Sequence, residues 1–322
     1  MNPGKRPRIP SRPLGVGHLR AFEAVARLLN FSAAAQELAL TQPAISRQIK
    51  ALEEELGLVL FQRGTRRVEL THAGGQLLAV VAPQLVELDR RVRQLRADAG
   101  RQVINLTTFA SFASLWLLPR LEPFQQAHPA VDIRISASDG VQDLDASGYD
   151  VALSYHLSPP PGEGVERLFG EVLAPVHSPA RQARIAAGEL PPLRRPADLA
   201  EHTLAEEDDN RPTSQLAQWR PWFEAQGLGD LQPRRWLLLN YTHQQVQATL
   251  AGNALTLARL PLVYEQLERG ELIETFGPAQ RHRTPSSYWM RLARSATQRP
   301  EVLQFCAWLR EEAARTRAAL RV

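Results

Sequence analysis

Three short runs of apolar residues at helical spacing, each with its own capping or stopping residue, constrain the first part of this chain to a compact helical unit. Leu19, Phe22, Val25, Ala26 and Leu29 form the first run and predict an amphipathic helix over 18–29. Asn30 and Phe31 interrupt it, Ser32 stands where an N-cap belongs, and Ala33 to Leu38 predict a short second helix whose alanines permit close packing. Thr41 caps a third helix with Gln42 and Pro43 in its first turn, where proline is tolerated, and Gly57 stops it. Two helices joined by a short turn, here spanning 31–50, outline a helix-turn-helix.

The third helix has two opposed sides on a wheel of roughly 100° per residue. Ile45, Ile49, Leu52 and Leu56 fall on one, and Pro43, Ser46, Arg47 and Lys50 on nearly the opposite one. The apolar side must pack on the first two helices, so a hydroxyl, an arginine and a lysine are left near the helix N-terminus, a set suited to a DNA major groove. Glu53, Glu54 and Glu55 follow at the C-terminal end, where they repel phosphate and confine contact to the first two turns. Next, Leu58, Leu60 and Phe61 lead into Arg63-Gly64-Thr65-Arg66-Arg67 and then Val68-Glu69-Leu70. This reads as a hairpin with an arginine-rich tip, a wing placed to grip the DNA backbone.

Charge is divided the same way. Residues 1–99 carry 15 Lys+Arg against 9 Asp+Glu, a net of +6, while the remaining residues carry 23 against 25, a net of −2. A small polyanion-binding module joined to a larger neutral-to-acidic domain is expected.

At this point a family resemblance becomes specific. Phe22, the stretch from Phe31-Ser32 to Ala34-Ala35, Leu38, Thr41-Gln42-Pro43-Ala44-Ile45-Ser46, Ile49, Leu52-Glu53, Leu56-Gly57, Leu60-Phe61, Arg63, Leu70-Thr71 and Ala73-Gly74 resemble the DNA-binding domain of LysR-type transcriptional regulators, without a gap from 19 to 71. The resemblance implies a dimeric or tetrameric bacterial regulator on partly palindromic double-stranded promoter DNA, with RNA polymerase as a further partner if it activates. Carried over position by position, it places Gln42, Pro43, Ser46, Arg47 and Lys50 on the recognition helix and Arg63, Arg66 and Arg67 on the wing. With the caps Ser32 and Thr41 these make the candidate DNA-binding set within a winged domain of 14–71.

Thr71 caps a further helix, running to about Ala97 before Gly100 ends it. Leu78, Val81, Leu85, Leu88, Val92 and Leu95 are spaced 3, 4, 3, 4 and 3 along it, a heptad seam that serves either the same chain or a second copy. Arg90, Arg91, Arg93, Asp89 and Glu87 cover much of the remaining surface, which favours an extended helix pairing through one narrow seam. That agrees with the linker helix of the family, so 72–99 is expected to dimerise. Pro83 in mid-helix predicts a bend.

Beyond residue 101 strands and helices alternate. Val103-Ile104-Leu106, Val131 to Ile135, Val151 to Leu153, Val172 to Val176, Trp236 to Leu239 and Ala254 to Leu257 read as strands, which implies parallel sheets and an α/β domain. An apolar helix is expected from the end of the first strand to about His128. The Pro159-Pro160-Pro161-Gly162 loop precedes a first crossing between two lobes, and Gly277-Pro278 lies near the return, giving lobe I about 101–170 and 276–322 and lobe II about 171–275. Ligands in open α/β sheets bind beyond the C-terminal ends of strands. That rule nominates Thr108, Ser111, Ser138, Tyr155, His156, Tyr241 and Thr242 as effector-binding residues.

Trp116 to Leu121, Phe124, His128-Pro129, Asp150 to Leu153 and the stretch from Gln245 to Leu262, with Ala251-Gly252 and Leu260-Pro261, resemble the effector domain of the same family, nearest to its glycine-cleavage-activator subgroup. The fold this implies is of the two-lobed periplasmic-binding-protein type, with a small-molecule effector between the lobes. Many members of the subgroup have an arginine where this chain has Ser154, and its absence counts against a carboxylate effector.

Enzyme chemistry finds no motif. There is no Walker loop, no G-x-S-x-G elbow and no H-E-x-x-H helix, and Gly15-Val16-Gly17 lacks a third glycine. Glu206-Glu207-Asp208-Asp209 reads as a solvated loop, and His177, His202, His243 and His282 are scattered without ligand spacing, so neither a metal nor a cofactor is expected. A paired Ser/His or carboxylate constellation in the cleft would instead favour an enzymatic or small-molecule-binding protein fused to a DNA-binding module. Cys306, the single cysteine, forms no internal disulfide. With no apolar run long enough for a bilayer, and proline and arginine rather than a secretory signal in the first twenty residues, the expectation is a cytoplasmic, nucleoid-associated protein with no membrane partner.

Overall fold

The computed structural model describes residues 14–63, 68–97, 100–137, 144–208 and 212–321. They divide into two compact units, 1–99 and 100–322.

In the first unit, α1 (Val16–Leu28), α2 (Phe31–Glu37) and α3 (Gln42–Leu56) are followed by a two-stranded antiparallel hairpin, β1 (Phe61–Arg63) and β2 (Val68–Leu70), and by the long α4 (His72–Ala97). Phe22, Val25, Ile45, Ile49, Leu52 and Leu60 are fully buried at its centre, and the Phe61 ring meets Phe22 and Phe31 at 5.6 and 5.9 Å. Thr41 caps α3 by accepting from the Ala44 N–H, and Gly57 ends it in the left-handed region at φ 67°.

The cap of α2 corrects the sequence reading. Asn30 accepts from the N–H groups of Ser32 and Ala33 at 2.9 and 3.0 Å, so the helix begins at Phe31 and Ser32 is an exposed first-turn residue. Asparagine caps as well as serine does, and the earlier start lets Phe31 pack on Phe61. Glu53 has a second task within its own unit: its carboxylate accepts from the Leu60 and Phe61 N–H groups at 2.7 and 3.2 Å, tying the end of α3 to the root of the wing.

Thr71 fixes the start of α4, donating its hydroxyl to the Val59 carbonyl and accepting from the Gly74 N–H. Helix α4 continues through Pro83. Its seam serves the chain itself first: Val81 and Leu85 are buried in the core of this unit with Leu78 packed against them, which corrects their assignment to a second copy. The reason is local. The first turns of α4 lie along α1, and the guanidinium of Arg20 pairs with Asp89 through both carboxylate oxygens. Val80, Val86 and Leu88 are the large apolar residues left exposed on α4 among the described side chains, and Val92 is half-exposed. The side chain of Leu95 lies outside the described residues.

In the second unit a curled sheet holds β3 (Gln102–Thr108), β4 (Val131–Ala137), β5 (Val151–His156), β6 (Val165–His177), β7 (Thr203–Glu207), β8 (Arg235–Leu239), β9 (Leu255–Arg259), β10 (Ile273–Glu274) and β11 (His282–Leu292). Its order is β4-β3-β5-β11-β6-β9-β7-β8, with β10 on β6. Strand β3 runs parallel to β4 and β5, and β7 runs parallel to β8 and β9. The long antiparallel β6 and β11 join these two parallel halves. A large core around Trp116, Phe169 and Phe305 supports the first half, and a smaller one around Trp219 and Trp222 the second.

The expected single helix up to His128 is a chain of short pieces: a turn of α-helix at Ala110–Phe112, a wide turn at Ala113–Leu117, a tight one at Leu118–Arg120, then Leu121–Ala127. Pro119 has no N–H to continue the ladder. The carboxylate run is also corrected, since Glu206 and Glu207 end strand β7 and Glu207 is buried.

Gly74 is required by a close approach, because a Cβ there would lie 2.3 Å from the Leu60 carbonyl oxygen. Gly74→Ala should therefore destabilise the first unit by about 1–3 kcal/mol through overpacking, read as a lower midpoint in thermal unfolding monitored by circular dichroism.

Candidate nucleic-acid interface and ligand cleft

On α3, Gln42, Pro43, Arg47 and Lys50 are exposed and Ser46 is half-buried, while Ile45, Ile49 and Leu52 face the core. The cap at Thr41 and the fixed φ of Pro43 hold this N-terminal turn in place. Gln42 donates to the Ser46 hydroxyl at 3.1 Å, which orients its amide across the face. Lys50 stands 3.6 Å from Glu54 in an exposed pair, a weak interaction that a phosphate displaces at little cost. Arg47 is exposed and, among the described residues, engaged in no ion pair or hydrogen bond. The helix dipole adds partial positive charge at the same end. The flanks of the wing pair in register, Phe61 with Leu70 and Arg63 with Val68. Arg66, Arg67 and the side chain of Arg63 lie outside the described residues.

The residues nominated in the second unit separate into those brought together and those kept apart. Thr108, at the end of β3, is buried, and among the described residues its hydroxyl has no hydrogen-bond partner. Ser111 is buried three residues on, where its hydroxyl faces His243 Nδ1 at 3.2 Å and accepts from the His243 N–H at 3.2 Å. Tyr155 packs against Tyr288 with ring centres 4.9 Å apart and against Phe109 at 6.4 Å. Burial and the neighbouring Glu171 push its phenol up to about 12. Thr242 donates to Glu207 at 3.0 Å, and the exposed Tyr241 stacks on His243 at 5.4 Å. His156 is the exception. It leaves β5 on the face opposite Tyr155, as does Ser154, because successive strand residues alternate, and burial and then the nearby Arg291 lower its pKa. Ser138 lies outside the described residues.

Sequence reasoning missed the buried charges that gather beside Tyr155. The guanidinium of Arg259, at the end of β9, sits 4.6 Å above the Tyr155 ring. It is 3.4 Å from Glu171 on the crossing strand β6 and 3.7 Å from Glu207 at the end of β7. Tyr288 donates to Glu171 at 2.7 Å. Burial raises the pKa of Glu171, while Arg259 and the Tyr288 hydroxyl oppose that rise. The strand-end rule that nominated Thr108 finds Arg259 as well, once β9 is carried two residues past Leu257.

Ser111 and His243 are a clasp between the two halves of the sheet rather than a nucleophile and its base. The serine oxygen already accepts from the backbone N–H of the same histidine, and a base in such a pair needs a third group to orient it. Among the described residues, no three His, Cys, Asp or Glu side chains gather as metal ligands, and no helix is long and apolar enough to cross a membrane. Tyr288→Phe removes the hydroxyl donor from a fully buried carboxylate and should cost about 1–3 kcal/mol, measurable as a shift of the urea midpoint.

Comparison with known proteins adds identity to this geometry. The family described as "Bacterial regulatory helix-turn-helix protein, lysR family" matches residues 16–75, and "LysR substrate binding domain" matches 97–314. The glycine cleavage system transcriptional activator of Escherichia coli K12 is 36% identical over 258 residues, 80% of this chain and 81% of that protein. The HTH-type transcriptional activator AmpR of Pseudomonas aeruginosa is 33% identical over 306 residues, 95% of this chain and 97% of that protein. Among solved structures, Vibrio fischeri DarR in complex with DNA shares the fold with a TM-score of 0.64 at 18% identity, over 93% of this chain and 99% of that one. Full-length HypT from Salmonella does so with a TM-score of 0.60 at 22% identity, over 94% and 99%.

Proposed function

The chain belongs to the LysR family of bacterial helix-turn-helix transcriptional regulators, which bind DNA and sense effector ligands and are not enzymes, and from that premise we propose how its own residues divide the work. The winged domain 14–71 reads partly palindromic promoter DNA. The N-terminal turns of α3 enter the major groove with Gln42, Pro43, Ser46, Arg47 and Lys50, while Arg63, Arg66 and Arg67 of the wing hold the adjacent backbone. Ser32 and Thr41 stand at the helix starts beside this face.

Segment 72–99 joins two copies into a dimer or dimer of dimers. Its exposed Val80 and Leu88 supply the apolar contact that Val81 and Leu85, spent on the chain's own core, cannot supply. Two copies present two recognition helices to two half-sites. The domain 101–322 holds a small ligand between lobe I, about 101–170 and 276–322, and lobe II, about 171–275. Such a ligand acts on transcription only by binding two arrangements of the lobes with different affinity. The place of action is chromosomal DNA in the cytoplasm, with RNA polymerase contacted if the protein activates.

The observation that carries the DNA-binding assignment is Arg47, exposed and, among the described residues, unpaired on a face whose reverse side is buried. Arg47→Ala should cost about 1–3 kcal/mol on the specific site and relax preference at one base pair. Arg66→Ala should instead weaken all sequences alike and lower the slope of log affinity against log salt by about 1. Gel-shift titrations at several salt concentrations on specific and scrambled duplexes measure both. Equal specific affinity for wild type and Arg47→Ala would remove Arg47 from base reading.

A further inference from the structure

We infer that the cleft around Arg259 is built for an uncharged ligand bearing hydroxyl or amide groups, in preference to a carboxylate; this rests on the reading of the cleft as the effector site. The first support is a set of buried hydroxyls that the protein satisfies only in part. The Thr108 hydroxyl is buried with no partner among the described residues, and those of Tyr155, Thr284 and Ser286 are buried with only loose contacts to one another, a state that costs free energy unless something satisfies them more fully.

They come from three strands of one sheet. Leu106 of β3 pairs with Val151 of β5, so Thr108 and Tyr155, at even spacings from these, leave the sheet on the same face. Thr284 and Ser286 belong to an irregularity in β11. The register with β6 passes from Thr284 opposite Glu171 directly to Ser287 opposite Gly170, so Pro285 and Ser286 bulge out of the ladder, as strands do where a side chain is re-aimed. Both hydroxyls lie near enough to the Tyr155 oxygen to stabilise charge on it. Each of the four hydroxyls donates one hydrogen bond and accepts others, which matches alcohols and amides, groups that do the same.

The second support is charge. Among the described residues Arg259 is the cation beside Tyr155, and its guanidinium is already shared by Glu171 and Glu207 and covered on one side by that ring. An incoming carboxylate meets two resident carboxylates competing for one arginine and loses its own hydration on entry, a cost that only a well-placed new partner repays. A neutral ligand meets neither penalty. The control lies in the protein's own acids rather than in Ser154, which leaves β5 on the other face.

Succinamide and succinate, matched in shape and differing in charge, test this on the full chain by isothermal titration calorimetry. Wild type should bind succinamide about tenfold more tightly than succinate, and Thr108→Val should weaken succinamide. Glu207→Gln, which removes one competitor for Arg259, should raise succinate affinity by about tenfold. Glu171→Gln serves in its place if circular dichroism shows the first variant unfolded. Succinate bound as tightly as succinamide by wild type, or unchanged by the released arginine, overturns the neutral-ligand inference and leaves the cleft a ligand site. Binding of neither probe by any of these proteins overturns both readings together.

Discussion

Glu171 lies on the strand that passes from one half of the effector domain to the other, and its carboxylate holds the two halves in register. One oxygen takes the Tyr288 hydroxyl from β11 and faces Arg259 from the end of β9. The other accepts from the Val172 N–H. A carboxylate this deeply buried is costly unless it is paired and hydrogen-bonded, so the surrounding residues are constrained by it. Arg259 must reach across from the second half, Tyr155 must lie beneath it, and the aromatic wall of Phe109, Phe112 and Tyr288 must exclude water. The polarity around Tyr155 is set by groups whose first task is to join β6, β9 and β11.

The DNA-binding unit solves a comparable problem with fewer charges. A recognition helix must present an open polar face while its other side is fully buried. Here the buried side of α3 is held by Ile45, Ile49 and Leu52, and the two ends by Thr41 and Gly57. Glu53 then carries that rigidity into the wing by binding the Leu60 and Phe61 N–H groups. Arg20 and Asp89 fasten α1 to α4 in the same unit. Helix α3, the flanking strands of the wing and the buried side of α4 therefore share one core.

Local grammar made much of this legible in the sequence. Thr41, Pro43 and Gly57 delimit α3 because capping, first-turn proline and left-handed glycine act within a few residues. Alternation at Val131 to Ile135 announces β4 for the same reason. What stayed hidden depended on distant partners. Glu207 looks like part of a solvated acidic run until Thr242 and Arg259 are brought to it, and His243 looks scattered until Ser111 is placed against it. The heptad of α4 was visible, but a stripe buried on its own chain has nearly the same period as one buried on a copy, so the spacing alone did not assign Val81 and Leu85. Asn30 and Ser32 competed for one cap, and the helix took the residue whose side chain reaches two free N–H groups.

The central claim is that a symmetric oligomer of this chain reads DNA through α3 and its wing. DNase footprinting of the purified full chain on the region upstream of its own coding sequence tests it most directly. The account predicts protection of two half-sites of related sequence in inverted orientation, with centres about one helical turn (10–10.5 base pairs) or a multiple of it apart. Protection that covers any duplex evenly, or a single half-site with no symmetric mate, would contradict it.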